Sequence, residues 1–88
     1  MIRKRIVFYG NVQGVGFRWR ARHAAVLYGC TGWCRNEWDG TVTMEVQGTQ
    51  ERIGRMLQCL EEGRFIRIDS TEEKIIPVIG NEREFRTD

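Results

Sequence analysis

Ile6-Val7-Phe8-Tyr9-Gly10-Asn11-Val12-Gln13-Gly14-Val15-Gly16-Phe17-Arg18 is the stretch on which the fold turns. It opens with an apolar, strand-like run. It closes on a segment with helical spacing: Phe17, Ala21, Ala24, Ala25 and Tyr28. Between them lies a glycine-rich turn that feeds a helix N-terminus. Such an end leaves backbone N–H groups without intrahelical partners. With the positive end of the helix dipole, those donors suit a phosphate or a carboxylate. Glycine removes the Cβ that would keep an anion away from the backbone. Arg18 falls in the first helical turn, where a cation is unfavourable for the helix itself. A bound anion would give it a reason to be there. From spacing alone, a tight strand-to-helix turn that happens to use glycine accounts for the stretch equally well. It is not the dinucleotide fingerprint, since Trp19 stands where glycine or alanine is needed, and no Gly-Lys-Ser/Thr follows to make a Walker loop.

Working outward, the first strand is expected over 3–10 and the first helix over 17–29, with Gly29 as its stop. A second strand over 31–37 leads to Asp39-Gly40, a strong hairpin signal. A third strand over 41–47 alternates Val42, Met44 and Val46 with Thr43, Glu45 and Gln47, which predicts one buried and one wet face. A second helix over 50–62 carries the stripe Ile53, Met56, Leu57 and Leu60 and stops at Gly63. A fourth strand lies within 66–77, and a short final one around 83–87. The order β-α-β-β-α-β fits an α+β, ferredoxin-like sandwich, one antiparallel sheet with two helices packed on one face. The pattern alone leaves other α+β folds open.

Eighty-eight residues make one domain, residues 1–88, that buries about 60% of its unfolded surface. With 41% hydrophobic and 30% charged residues, the composition is that of a soluble globular protein. No apolar run approaches a membrane span, and the basic start Arg3-Lys4-Arg5 precedes too few apolar residues for a signal-peptide core. A cytoplasmic protein is expected. Cys30, Cys34 and Cys59 form no metal pattern with the single His23, and they read as free thiols in small apolar positions. Cys30 and Cys34 would lie ~13 Å apart in an extended strand, too far for a disulfide. Residues 1–36 hold seven Lys/Arg and no acid, whereas residues 37–88 hold seven Lys/Arg and twelve acids. Either a positive field gathers anionic substrate near Arg18 and Asn36, or the two halves interleave and neutralise one another.

Val12-Gln13-Gly14-Val15-Gly16-Phe17-Arg18 resembles the signature of the acylphosphatase family. A second block agrees: Gly32-Trp33-Cys34-Arg35-Asn36, then Asp39-Gly40, Val42 and Gln47-Gly48, in the family's order and at similar distances. The match is dense from Gly10 to Gly48 and weaker beyond. The resemblance implies the ferredoxin-like fold and hydrolysis of acyl phosphates to carboxylate and inorganic phosphate, without metal or organic cofactor. It implies that the amides of Gln13, Gly14, Val15, Gly16 and Phe17 hold the phosphoryl oxygens together with the Arg18 fork, and that Asn36 orients the attacking water. Arg18 and Asn36 are the candidate catalytic residues, with Gln13 bracing the loop. The expected partners are a small acyl phosphate, and inorganic phosphate as product and inhibitor, with no nucleic acid, no membrane and a monomeric chain. Asn36 as a mere turn residue and Arg18 as a surface arginine are the plainer alternatives, and His23 is expected to be solvated.

Two departures stand out. Arg20 occupies a position usually apolar or aromatic in that family, which bears on helix packing or substrate preference. Cys34 replaces a common valine. A silent anion-binding relative, or a domain serving carbamoyl-phosphate chemistry, is the second reading. An RNA-recognition domain shares the topology, but it needs aromatic residues on the third strand, and Thr41-Val42-Thr43-Met44-Glu45-Val46-Gln47 has none.

Overall fold

The computed structural model describes Met1–Asp88. In chain order it runs β1 (Ile2–Asn11), α1 (Phe17–Tyr28), β2 (Thr31–Asn36), β3 (Val42–Gly48), α2 (Gln50–Glu61), β4 (Arg67–Ile76) and β5 (Phe85–Thr87). The strands form one sheet in the order β4-β1-β3-β2-β5. β1 pairs antiparallel with β3, from Ile2↔Gly48 to Phe8↔Val42, and with β4, from Arg3↔Ile76 to Asn11↔Arg67. β2 pairs antiparallel with β3, from Thr31↔Gln47 to Asn36↔Val42. The expected order and helix placement hold, with one refinement: β5 runs parallel to β2, so the sheet is mixed. After β4 the chain crosses the sheet at one end and turns back once. That single reversal delivers β5 to the far edge in the direction of β2.

Alternation along the strands sends Ile6, Phe8, Cys34, Val42, Met44 and Val46 into the core that also takes Phe17, Ala21, Ala24, Ala25, Ile53, Met56 and Leu60 from the helices. The Phe8 and Phe17 rings meet edge-on at 4.9 Å between centroids, tying the end of β1 to the start of α1 across the glycine loop. Gly10 sits at a register shift in the β1–β4 ladder, where a Cβ would collide with the Arg67 carbonyl.

The expectation of a wet face on β3 is not met. Thr43 and Gln47 are buried alongside the apolar positions beside them. β3 is the central strand, and its second face is roofed at one end by the 77–84 crossing. Gln47 Nε2 donates to the Ile79 carbonyl, and Ile79 N–H donates back to Gln47 Oε1, both at 2.8 Å. Arg3 is fully buried under the same roof, donating to Glu45, Gln47 and Glu82. Its two carboxylate partners satisfy a charge that would be very costly to bury alone. With Lys4–Glu73 and Arg5–Glu45, the basic residues of β1 are all paired with acids from the second half of the chain. The two halves therefore interleave along β1, but no ion pair reaches Arg18, Arg20 or Arg22.

Candidate active site

The site lies at the sheet end opposite the roof, where β1 runs into α1. Gly14 and Gly16 both take left-handed backbone angles, φ 71° and 80°. Successive amides in such a turn point to one side and form an anion-binding concavity. Gly16 is the N-cap of α1, with no side-chain cap and no acid in the first turn. The first helical bond runs from Arg20 N–H to the Gly16 carbonyl at 2.9 Å, so the N–H groups of Phe17, Arg18 and Trp19 have no partner within the helix. The loop is anchored at both ends by the buried Val12 and Phe17.

A cavity of about 180 Å³ opens in front of these amides. It is lined by Val12, Gly14, Gly16, Phe17, Arg18, Trp19 and Asn36. Arg18 and Asn36, from two separate motifs, thus share one concavity with the loop. Gln13 and Val15, expected among the phosphate-binding residues, do not line it. The Gln13 side chain turns away, donating through Nε2 to the Glu37 carbonyl at 2.7 Å and the Thr41 carbonyl at 2.9 Å. It clasps the loop to the β2–β3 hairpin and so sets the spacing between the cradle and Asn36.

Asn36 ends β2 on the core side of the sheet, opposite Val42. Its Oδ1 is buried and accepts no hydrogen bond, the only such side-chain atom in the protein. The turn beyond it is heavily braced. Asp39 Oδ1 accepts from the Thr41 hydroxyl at 2.7 Å and from Thr41 N–H at 3.0 Å. Glu37 accepts from Arg35 and from the Thr43 hydroxyl. Those donors hold the Glu37 carboxyl, and the Thr41 donors the Asp39 carboxyl, below the ordinary carboxylate range.

Arg18 is steadied by one contact, its Nη1 donating to the Asp88 carbonyl at 2.9 Å. Asp88 is itself tied to β2 through its N–H and the Cys34 carbonyl. This brace was invisible in the sequence, because it depends on β5 landing beside β2. Burial pushes the Cys34 thiol up to about 12 against the pull of the Arg18 charge, leaving it an apolar strand residue. Arg20 faces neither the cavity nor solvent alone. Its Nε donates to the Cys59 carbonyl at 2.7 Å in the last turn of α2, where a cation is favourable. The departure at Arg20 is therefore a helix–helix tether. His23 is exposed and packs against Trp19, the two rings tilted by 43°. No group of three or more His, Cys, Asp or Glu side chains gathers anywhere in the chain, and no helix is long and apolar enough to cross a membrane.

The profile of the acylphosphatase family matches residues 4–87. The chain belongs to this family. It is 40% identical over 88 residues to an acylphosphatase of Clostridium perfringens, the alignment spanning 99% of each chain. The crystal structure of acylphosphatase from Bacillus subtilis superposes with a TM-score of 0.90 at 25% identity, covering 100% of this chain and 99% of that one. The fold also occurs inside a longer protein: full-length HypF in a phosphate- and nucleotide-bound form matches with a TM-score of 0.84 at 26% identity, over 12% of that chain. The protein is thus a hydrolase of the acylphosphatase family, and its substrates are acyl phosphates.

Proposed function

We propose that the cavity between the 13–17 loop and Asn36 is where the carboxyl–phosphate bond is broken, with Arg18 and Asn36 as the catalytic pair. The observation that carries this reading is that Arg18 and Asn36, from two separate stretches of sequence, line one cavity with the uncapped N-terminus of α1. One side of the cavity suits an anion, and the other carries an amide that can orient water.

The loop amides and the Arg18 fork take the phosphoryl oxygens. Asn36 holds the attacking water through its side-chain amide and aims a water lone pair at phosphorus. As the new P–O bond forms, the bond from phosphorus to the acyl oxygen breaks, and its electron pair leaves on the carboxylate. The proton lost by water ends on the phosphate product or in solvent. Phosphoryl transfer passes through a loose transition state, so positioning and electrostatics supply most of the acceleration. A carboxylate leaves without needing a proton, so an amide that only orients water suffices and no general base is required.

The unpaired arginines of α1 leave a positive field over the loop that favours anionic substrate. The residues that form the cavity include no metal-binding set, and turnover should persist in chelator. The rest of the reading is a single domain acting as a monomer, with inorganic phosphate as product and competitive inhibitor, away from nucleic acid and membranes. Its unpaired thiols suit the reducing cytoplasm.

The test is hydrolysis of benzoyl phosphate in chelator by the intact protein and by Arg18→Ala. Turnover that vanishes in the variant supports the assignment. A folded protein that binds phosphate but does not turn over would favour the second reading, an anion-binding relative of the domain found within longer chains.

A further inference from the structure

We propose that the outer face of α1 holds a second binding site, for a small amphipathic anion with a carboxylate head and an apolar tail, and that its occupant weakens the attraction of substrate to the catalytic cavity. Binding at this site stands on its own; its effect on substrate rests on the acyl-phosphate reading above.

α1 gives Phe17, Ala21, Ala24 and Ala25 to the core. Trp19, His23 and Leu27 recur every four residues along the opposite side, with Arg22 and Val26 beside them. Such outward positions are ordinarily polar. Here Trp19, Val26 and Leu27 are 66%, 75% and 70% exposed. With Ala24, and with Cys59 from α2, they border a depression of about 740 Å³, against about 180 Å³ for the catalytic cavity. Ala24 is buried and Cys59 half-buried. The short alanine side chain and α2 therefore make the floor, and the larger exposed side chains make the walls. Sites for small molecules are of this kind, mostly apolar with a few converging polar groups.

The rest of the wall is basic: Arg20, Arg22 and His23. No carboxylate lines the groove, and α1 carries no acid at all. The basic residues of β1 are all paired with acids, whereas no ion pair reaches Arg20 or Arg22. Arg20 spends only its Nε, on the Cys59 carbonyl, which anchors its guanidinium at the groove. The two kinds of residue are also segregated along the helix. Arg20, Arg22 and His23 come first, and Ala24, Val26 and Leu27 follow. The helix rises about 12 Å from residue 19 to residue 27, enough for a carboxylate on the guanidinium groups and an extended tail over Val26 and Leu27. A second copy of the chain fits less well. A two-fold interface sets one patch against itself, and here that would bring the arginines of both copies together with no acid between them.

Trp19 lines both the groove and the catalytic cavity, so the two sites adjoin. An anion on Arg20 and Arg22 cancels part of the positive field that draws substrate to the loop. The signature is a KM that rises and then levels off, with kcat unchanged.

The experiment titrates the intact protein with octanoate, acetate, 1-octanol and octylamine, read by backbone amide shifts, and repeats benzoyl phosphate kinetics along the octanoate series. Octanoate should bind about tenfold more tightly than the other three, which lack either the tail or the negative head. It should move the amides of Ala24, Val26, Leu27 and Cys59. KM for benzoyl phosphate should rise about twofold to a plateau. Leu27→Ser and Arg22→Gln should each weaken octanoate about tenfold, one by removing tail contact and the other a charged partner. Leu27→Ser should leave kcat/KM in the absence of octanoate unchanged. Equal affinity for octanol or acetate, or undiminished octanoate binding in both variants, overturns the site. So do shifts confined to Gly14, Gly16 and Arg18 with a KM that climbs without limit, since octanoate would then occupy the catalytic cavity. Self-association in sedimentation velocity that Leu27→Ser abolishes, without octanoate binding, would give the face to a second copy instead. If the intact protein does not hydrolyse benzoyl phosphate, the acyl-phosphate reading fails, and the amide shifts still decide the groove.

Discussion

α2 starts at Thr49, whose hydroxyl accepts from Arg52 N–H, with Glu51 in its first turn, whereas α1 starts at Gly16 with no side-chain cap, no acid and Arg18 in the equivalent place. One end is satisfied by its own sequence, and the other is left with bare donors and a misplaced cation. The helices are the same length, twelve residues, and pack on the same sheet. On the function proposed above, the closed end contributes to stability and the open one receives the phosphate.

Arg18→Ala probes the open end most severely. Turnover of benzoyl phosphate should drop below detection, while stability in denaturant titration changes by less than about 1 kcal/mol. Phosphate at 100 times its Kd should stabilise the intact protein by about 2.7 kcal/mol, and this gain should vanish in the variant. A variant that kept either turnover or phosphate stabilisation would show that α1's open end is not an anion site.

Asn36→Ala comes next, with a loss of about 10²–10³-fold in kcat, comparable to removing one preorganised polar contact. Phosphate inhibition should stay within about twofold, because the cradle amides and Arg18 are untouched. Equal loss of phosphate affinity in both variants would erase the division between holding phosphate and aiming water.

Thr49→Ala is the mirror experiment. Uncapping α2 should cost about 1 kcal/mol and leave kcat/KM unchanged at temperatures where the protein remains folded. An activity loss there would mean that the two ends are coupled through the sheet.

The smallest effect is on the hairpin that carries Asn36. Glu37 and Asp39 have folded pKa values below their unfolded ones, so their contribution is complete above about pH 4–5. It is lost as pH falls through the depressed values. Thermal melts between pH 3 and 6 should show the intact protein losing stability on acidification, and Asp39→Asn should flatten part of that slope. An unaltered slope would remove Asp39 from the hairpin's support.

The elements that were legible in the sequence are those governed by local pattern. The edges of both helices, the Asp39-Gly40 hairpin and the order of strands follow from turn residues and stripes, and the boundaries differ from expectation by a residue or two. What local pattern cannot report is which strand ends up in the middle. Thr43 and Gln47 read as wet because they alternate with valines, yet the crossing after β4 covers Gln47 and Arg3 from above. Arg3 read only as part of a basic start. Its burial depends on Glu45 and Glu82, distant in the chain and brought together by the sheet. The two site motifs were legible as patterns, and the structure brings Arg18 and Asn36 to one cavity. The Asp88 brace on Arg18 was not legible, since it joins segments that share no local signal.

The place of β1 in the sheet carries a consequence for how the protein comes into being. β1 is made first, but its two neighbours pair with it through Gly48 and Ile76 at one end, far along the chain. Contacts of such wide separation close more slowly than the local contacts of a helix. A nascent chain emerging from its ribosome therefore exposes the glycine loop long before the β4 edge exists to support it.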